Sequence, residues 1–138
     1  MVNSKIKDPQ EIVALYILPS IRSYLAHELK RRGFDQKHIA KVLCVTEPAV
    51  SQYVNAKRAT ETKMTEKMNA EIALAASRLC SGSTILQEAH HLVNVALVER
   101  ITCSKCHAVL GVPTNCRVCF EDRPDMVLFH EADYIKSR

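Results

Sequence analysis

Tryptophan is missing from this 138-residue chain, and aromatic residues make up only 5% of it. Platforms for single-stranded nucleic acid are built from stacked aromatic faces, so that class of binder is disfavoured. Glycine occurs three times in all, which argues against a glycine-rich loop cradling phosphate. No nucleophile stands beside a base in a recognisable constellation, so catalysis is not expected. No apolar run is long enough to span a bilayer, and the opening residues lack the pattern of a secretory leader. The expectation is a cytoplasmic protein with no membrane partner. In that compartment the six cysteines speak for metal ligands or thiol redox chemistry rather than for a disulfide framework.

Charge is present but unevenly placed. Residues 1–58 carry ten Lys/Arg against five Asp/Glu, a balance of +5, while residues 59–138 carry nine against ten, a balance of −1. The basic excess therefore sits in the first part of the chain, where a polyanion would be met.

Within that part, Gln36 to Asn55 reads as helix, tight turn, helix. Ile39, Ala40 and Leu43 share one face of the first helix; Val50, Tyr53 and Val54 share one face of the second. Ala40 is small where two steeply crossing helices need their backbones close. Cys44 and Val45 make the turn, Thr46 is a good N-cap, and Glu47 and Pro48 suit a first helical turn. Outside remain Glu47, Ala49, Ser51, Gln52 and Asn55, followed by Lys57 and Arg58. A short polar face with a basic end is the layout of a recognition helix in a DNA major groove. Thr46 and these seven residues are the candidate DNA contacts.

Around this core, Met1–Lys7 reads as a loose arm whose Lys5 and Lys7 can touch phosphate. Asp8, Pro9 and Glu11 open a helix as cap, first position and capping-box acid, and Pro19 should end or sharply kink it. A second helix, Ser20–Arg32, buries Ile21, Leu25 and Leu29 and stops at Gly33; Phe34 joins the core and Asp35 caps the next helix. The Lys30-Arg31-Arg32 run complements the negative helix end, which is reason enough for it. A polar link covers Ala59–Thr62. Thr62–Cys80 then reads as a helix with Met64, Met68, Ile72, Ala75, Ala76 and Leu79 on one stripe. Ser81-Gly82-Ser83 breaks it, and Thr84 with Gln87 caps another helix running to about Arg100, with Ile85, Leu86, Ala89, Leu92, Val93, Ala96 and Leu97 apolar. The two form a hairpin whose stripes can close the core or pair with a second subunit.

The second informative pattern is Cys103-Ser104-Lys105-Cys106 and Cys116-Arg117-Val118-Cys119. Each CxxC pair can present two thiolates from one tight turn, and Gly111 and Pro113 allow the chain to reverse between them. Four thiolates in a tetrahedron suit structural Zn²⁺ and suit iron–sulfur clusters too. Zinc is favoured, with an iron–sulfur cluster as the close alternative. Cys80 is a conceivable fifth ligand but reads better as a buried structural cysteine; Cys44 is a turn residue, and His90, His91 and His130 read as surface residues. The apolar run Met126–Phe129 in the tail has no assigned role.

The Gln36–Asn55 stretch resembles the helix-turn-helix of the Cro/phage-repressor class. The longer run Glu11–Arg58, with Tyr16-Ile17-Leu18-Pro19-Ser20-Ile21-Arg22 and Val45-Thr46-Glu47-Pro48-Ala49-Val50-Ser51-Gln52-Tyr53, is similar to a group of small archaeal-type transcriptional regulators. Members of that group carry this domain alone with a cysteine-bearing tail, or fused to a ligand domain related to thiamine-phosphate synthase. The resemblance covers a little over a third of the chain and departs from the pattern at Cys44, where glycine is usual. The expected partner is a double-stranded DNA operator, and because a single head offers few phosphate contacts the expected form is a homodimer.

The expected architecture is mainly α: a helix-turn-helix DNA-binding domain over residues 1–58, a helical linker or dimerisation hairpin over 59–100, and a four-cysteine metal-binding module with its tail over 101–138. The expected function is a sequence-specific DNA-binding transcriptional regulator whose metal site staples or senses. Two other classes compete with it. One is a metal-binding adaptor without a DNA role; the other is a CxxC thiol redox protein, against which stands the lack of a βαβ pattern around the cysteines.

Overall fold

The computed structural model of the chain describes residues 8–55 and 62–120. The arm lysines Lys5 and Lys7, the candidate phosphate contacts Lys57 and Arg58, the link through Glu61, His130 and the Met126–Phe129 run lie outside the described residues. Among the described residues the protein is helical and contains no strand. Its elements are α1 (Pro9–Ile12), a π turn (Val13–Ile17), α2 (Leu18–Arg31), α3 (Gln36–Leu43), α4 (Glu47–Asn55), α5 (Glu66–Cys80), α6 (Ile85–Val98) and α7 (Ile101–Leu110). No helix among the described residues is long and apolar enough to cross a membrane.

The first helix starts as its sequence dictates: Asp8 is extended and accepts from the Gln10 N–H at 2.8 Å, with Pro9 behind it. Pro19 does not end it. The helical path runs from Pro9 through to Arg31 because the turn before the proline widens, with the Leu18 N–H reaching the Val13 carbonyl. A π turn absorbs the irregularity that a ring without an N–H would force on regular α geometry. Pro19 itself stands in the first turn of α2, where a missing N–H leaves nothing unpaired.

From α2 onward the caps set the path. Gly33 takes φ +93°, which lets its own N–H bond Lys30 and the Phe34 N–H return to Leu29. Asp35 caps α3 through the His38 N–H at 2.7 Å. Thr65, three residues later than the composition suggested, caps α5 through Met68. Thr62–Met64 is thus not helical; Thr62 and Met64 are buried instead. Thr84 and Gln87 form the expected reciprocal capping box of α6, and that helix stops at Val98.

One buried cluster runs through these elements. It joins Ile12, Ile17, Ile21, Leu25 and Leu29 of the first helical run to Leu43 and Val50. It continues through Met68, Ile72, Ala75, Ala76 and Leu79 of α5 to Leu92, Ile101 and Cys106. α2 packs on α3 and α4 and also on α5 and α6, while α7 packs on α1, the π turn and α6. Polar clasps supplement the apolar packing. Ser20 donates to the Tyr16 carbonyl at 2.8 Å, so the Thr62 hydroxyl, 2.9 Å away, must be the donor to Ser20. The Arg32 guanidinium reaches from the end of α2 to Ser77 Oγ and the Ala73 carbonyl of α5, both at 2.8 Å.

In the hairpin, the α5 stripe is buried throughout, but Leu86 of α6 is exposed and Glu88 is buried in its neighbourhood. Arg78 and Ser83 explain the exchange. Glu88 accepts from Arg78 at 2.8 Å and from Ser83, so the carboxylate is satisfied at the helix junction. Burial raises its pKa, but the Ser83 and Arg78 hydrogen bonds and the Arg78 charge outweigh this and hold it below the usual carboxylate range.

Candidate functional site

Two groups of residues carry the chemistry. The first is the α3–α4 pair. Ile39, Ala40 and Leu43 are buried, as is Val50, with Tyr53 and Val54 half-buried against the core. Cys44 adopts φ 54°, ψ 43°, the left-handed conformation that the glycine-like turn position demands. Its N–H bonds Lys41, and the Val45 N–H returns to Ala40. A side chain in this conformation costs roughly 1–2 kcal/mol, so the turn is held against a local preference. Thr46 accepts from the Ala49 N–H at 3.2 Å, and the Gln36 side chain donates to the Glu47 carbonyl at 2.8 Å, fixing the entry to α4 from both sides.

These contacts leave Thr46, Glu47, Gln52 and Asn55 exposed. Ala49 and Ser51 are only half-exposed. Ser51 accepts from the Asn55 amide at 3.3 Å, and both line a cleft of about 200 Å³ with Lys30, Asp35 and Gln36. Lys37 and Lys41 of α3 are exposed nearby in sequence. The outermost part of α4 is therefore Glu47 and Gln52, with Ser51 and Asn55 turned towards the start of α3.

The second group is the cysteines. Cys103, Cys106, Cys116 and Cys119 all line one cavity of about 480 Å³. The first pair is not in a tight turn as its spacing suggested. It lies within α7, one helical turn apart and so on one face. Gly111 ends α7 at φ 68°, and the chain reverses through Pro113, where the Cys116 N–H bonds the Pro113 carbonyl. Cys106 is buried, Cys103 and Cys116 are intermediate and Cys119 is exposed, so the cavity opens on the Cys119 side. Among the described residues no three His, Cys, Asp or Glu side chains close tightly enough to hold a metal ion as they stand.

The sulfurs nonetheless feel one another. Burial pushes the Cys106 thiol up to about 11, and the neighbouring Cys119, Cys103 and Cys116 add to the rise. Partial burial raises Cys119 as well, aided by Cys103, Cys116 and Asp8, although the residue is exposed. Cys80 is exposed rather than buried and lies outside this cavity. Cys44 likewise does not line it. His91 is a surface residue that pairs with Glu71 at 2.9 Å, and His90 meets Asn94.

Three further residues at the cavity carried no signal in the spacing of the cysteines. Thr102 is a buried residue at its wall whose hydroxyl has no hydrogen-bond partner among the described residues. Arg100 takes φ 61°, lies with its guanidinium 4.0 Å from the Phe120 ring centroid, and points Nη1 at Cys103 Sγ from 3.9 Å. His107 must donate Nδ1–H, because its partner is the Val112 carbonyl. Compared with protein-family models, curated proteins and solved structures, the chain finds no match in any of the three.

Proposed function

We propose that the protein is a sequence-specific regulator of transcription that binds double-stranded DNA as a homodimer, with α4 as the helix that enters the major groove. The observation that carries the reading is the α3–α4 pair: a left-handed Cys44, a Thr46 cap and a solvent-facing Glu47 and Gln52. A helix so exposed, anchored from behind by Val50, has an edge free to meet base edges. The basic balance of residues 1–58 favours a polyanion, and the deep, narrow groove of duplex RNA would not admit the helix.

The four cysteines support a thiolate-bound metal as the second part of the reading. Cysteines of α7 and of the following turn share one cavity, with the Arg100 guanidinium 3.9 Å from Cys103 Sγ. That donor set fits a metal centre, which would be held by Cys103, Cys106, Cys116 and Cys119. When bound it supplies a cross-link between α7 and the turn after it. A dithiol enzyme is disfavoured because no strand, and so no βαβ unit, surrounds the cysteines among the described residues.

The test is selection of duplexes from a random pool by the full-length protein, followed by titration of the enriched sequence. A palindrome with half-sites about 34 Å apart, or a multiple of that, is the expected product. Binding without preference among duplexes, or no binding at all, would leave an adaptor role in its place.

A further inference from the structure

We infer that Glu99 and Arg100 form a hinge: α6 and α7 are two halves of one helix, bent back by contacts from the cysteine segment, and they straighten when that segment lets go. The trigger rests on the reading of the four cysteines as metal ligands; the hinge itself does not.

Local structure favours the straight form. Only these two residues separate Val98, the end of α6, from Ile101, the start of α7. Glu99 keeps φ −79°, so the change of direction falls on Arg100 at φ 61°, ψ 18°. That left-handed conformation is unfavourable for a residue with a β-carbon. The bend also interrupts the helical ladder. The Arg100 N–H bonds the Leu97 carbonyl, and the next backbone bond across the joint runs from the Ser104 N–H to the Arg100 carbonyl. No side chain caps α7 in between. Among the described residues the N–H groups of Ile101, Thr102 and Cys103 thus lack the carbonyl partners that an unbroken helix supplies four residues earlier. Thr102 adds a third sign, because its hydroxyl is buried without a partner among the described residues. Within an unbroken helix a threonine hydroxyl can bond the carbonyl four residues earlier, here that of Val98.

Contacts from elsewhere hold the bend. Ile101 and Cys106 belong to the buried cluster, and α7 packs on α1 and the π turn. Thr65 donates to the Glu99 carboxylate at 2.9 Å. The Arg100 guanidinium lies 4.0 Å from the Phe120 ring centroid. Phe120 follows Cys119 directly, so a metal that joins the two cysteine pairs fixes this ring over the hinge. Without the metal, the packing of α7 alone stands against three unfavourable local features. Strain at one residue, maintained by its surroundings, is the usual setting of a two-state element. Straightening carries α7, about 15 Å of helix, away from α1 and the π turn.

The test compares Arg100→Gly with Arg100→Ala in the full-length protein, loaded with zinc or depleted by a chelator under reducing conditions. Both variants lose the guanidinium, so they differ only in backbone preference. Glycine accepts the left-handed conformation and weakens a continuous helix; alanine does the reverse. The readouts are far-UV circular dichroism, alkylation of Cys106, and amide exchange at Thr102 and Cys103. Depleted Arg100→Ala should keep or gain helical signal, open Cys106 to the reagent and protect both amides. In depleted Arg100→Gly, Cys106 should react about tenfold more slowly than in the alanine variant. Depleted wild type should show the same opening as Arg100→Ala to a smaller extent, and zinc should reverse it. Loss of helical signal with fast exchange throughout α7 means that the segment unfolds instead of swinging, which overturns the hinge. Equal behaviour of the two variants overturns it as well. Retention of no zinc by any of the proteins overturns the metal as trigger, while the comparison of the variants still decides the hinge.

Discussion

Ser23 donates its hydroxyl hydrogen to the Tyr53 carbonyl at 2.7 Å, so a fully buried side chain of α2 satisfies the last turn of α4. Carbonyls at a helix end have no partner within the helix. This bond therefore fixes the direction in which α4 leaves the core, and with it the direction in which Gln52 faces.

Ser23→Ala should cost about 1 kcal/mol, because it removes a hydrogen bond to a part-buried carbonyl. Denaturant unfolding followed by circular dichroism measures it. Amide exchange should speed up in α4 before it does in α5. Equal acceleration in both helices would show that the bond supports the whole core and not this helix end.

Gln52→Ala should leave folding intact, because the side chain is exposed. If the residue reads adenine through its amide, the variant should lose discrimination at one operator position by about 1–3 kcal/mol. A binding-site matrix unchanged at every position would remove Gln52 from the reading face.

How far these features could be read in advance follows a physical division. Asp8, Asp35 and the Thr84–Gln87 box act within three residues of themselves, so the helix starts they set were visible in the chain. The α5 stripe was visible too, because it repeats at the helical period. Hidden were the features that depend on distant partners. Thr62 looks like linker until Ser20, 42 residues earlier, is found to accept its proton. Glu88 looks like surface until Arg78 and Ser83 meet it. Pro19 looks like a stop because a π turn has no sequence signature comparable to a cap. At the cysteines the pairing was legible, but the helical setting of the first pair was not, since CxxC fits a turn and a helix face equally well.

Glu88 makes stability depend on acid. Its carboxylate stays charged to lower pH in the folded chain than in the unfolded one. As pH falls through the unfolded value, about 4.3, the unfolded chain takes the proton first. The contribution is therefore complete above that value and drains away as pH drops through the folded one. Glu88→Gln should cost about 1–3 kcal/mol at neutral pH and flatten this part of the acid limb. Urea unfolding of both proteins between pH 3 and 6, taken as about the span of carboxylate titration, gives the comparison. Parallel curves would assign the acid dependence to other groups.

The last prediction separates a sensing role for the cysteine site from a structural one. α7 packs on α1 and on the π turn, Ile101 and Cys106 belong to the same buried cluster as Ile12 and Ile17, and Asp8 and Pro9 line the cysteine cavity. Lys105 Nζ lies 5.4 Å from the Tyr16 ring centroid, a second contact between α7 and the π turn. A change at the cavity is thus one helical run away from α2, on which α3 and α4 sit. Cys116→Ser, in the turn and away from this packing, should remove the metal while leaving the circular dichroism of the helices in place. If the site senses, operator affinity should change by a coupling of about 1–3 kcal/mol, roughly 5- to 150-fold. Titration of one operator with loaded wild type, depleted wild type and the variant measures it, and the two depleted proteins should agree. Unchanged affinity, with the chain beyond Leu110 newly open to protease, would make the metal a staple for a segment too small to hold itself. Loss of helical signal throughout on depletion would defeat both roles, since reading head and cysteine site would then be one cooperative unit.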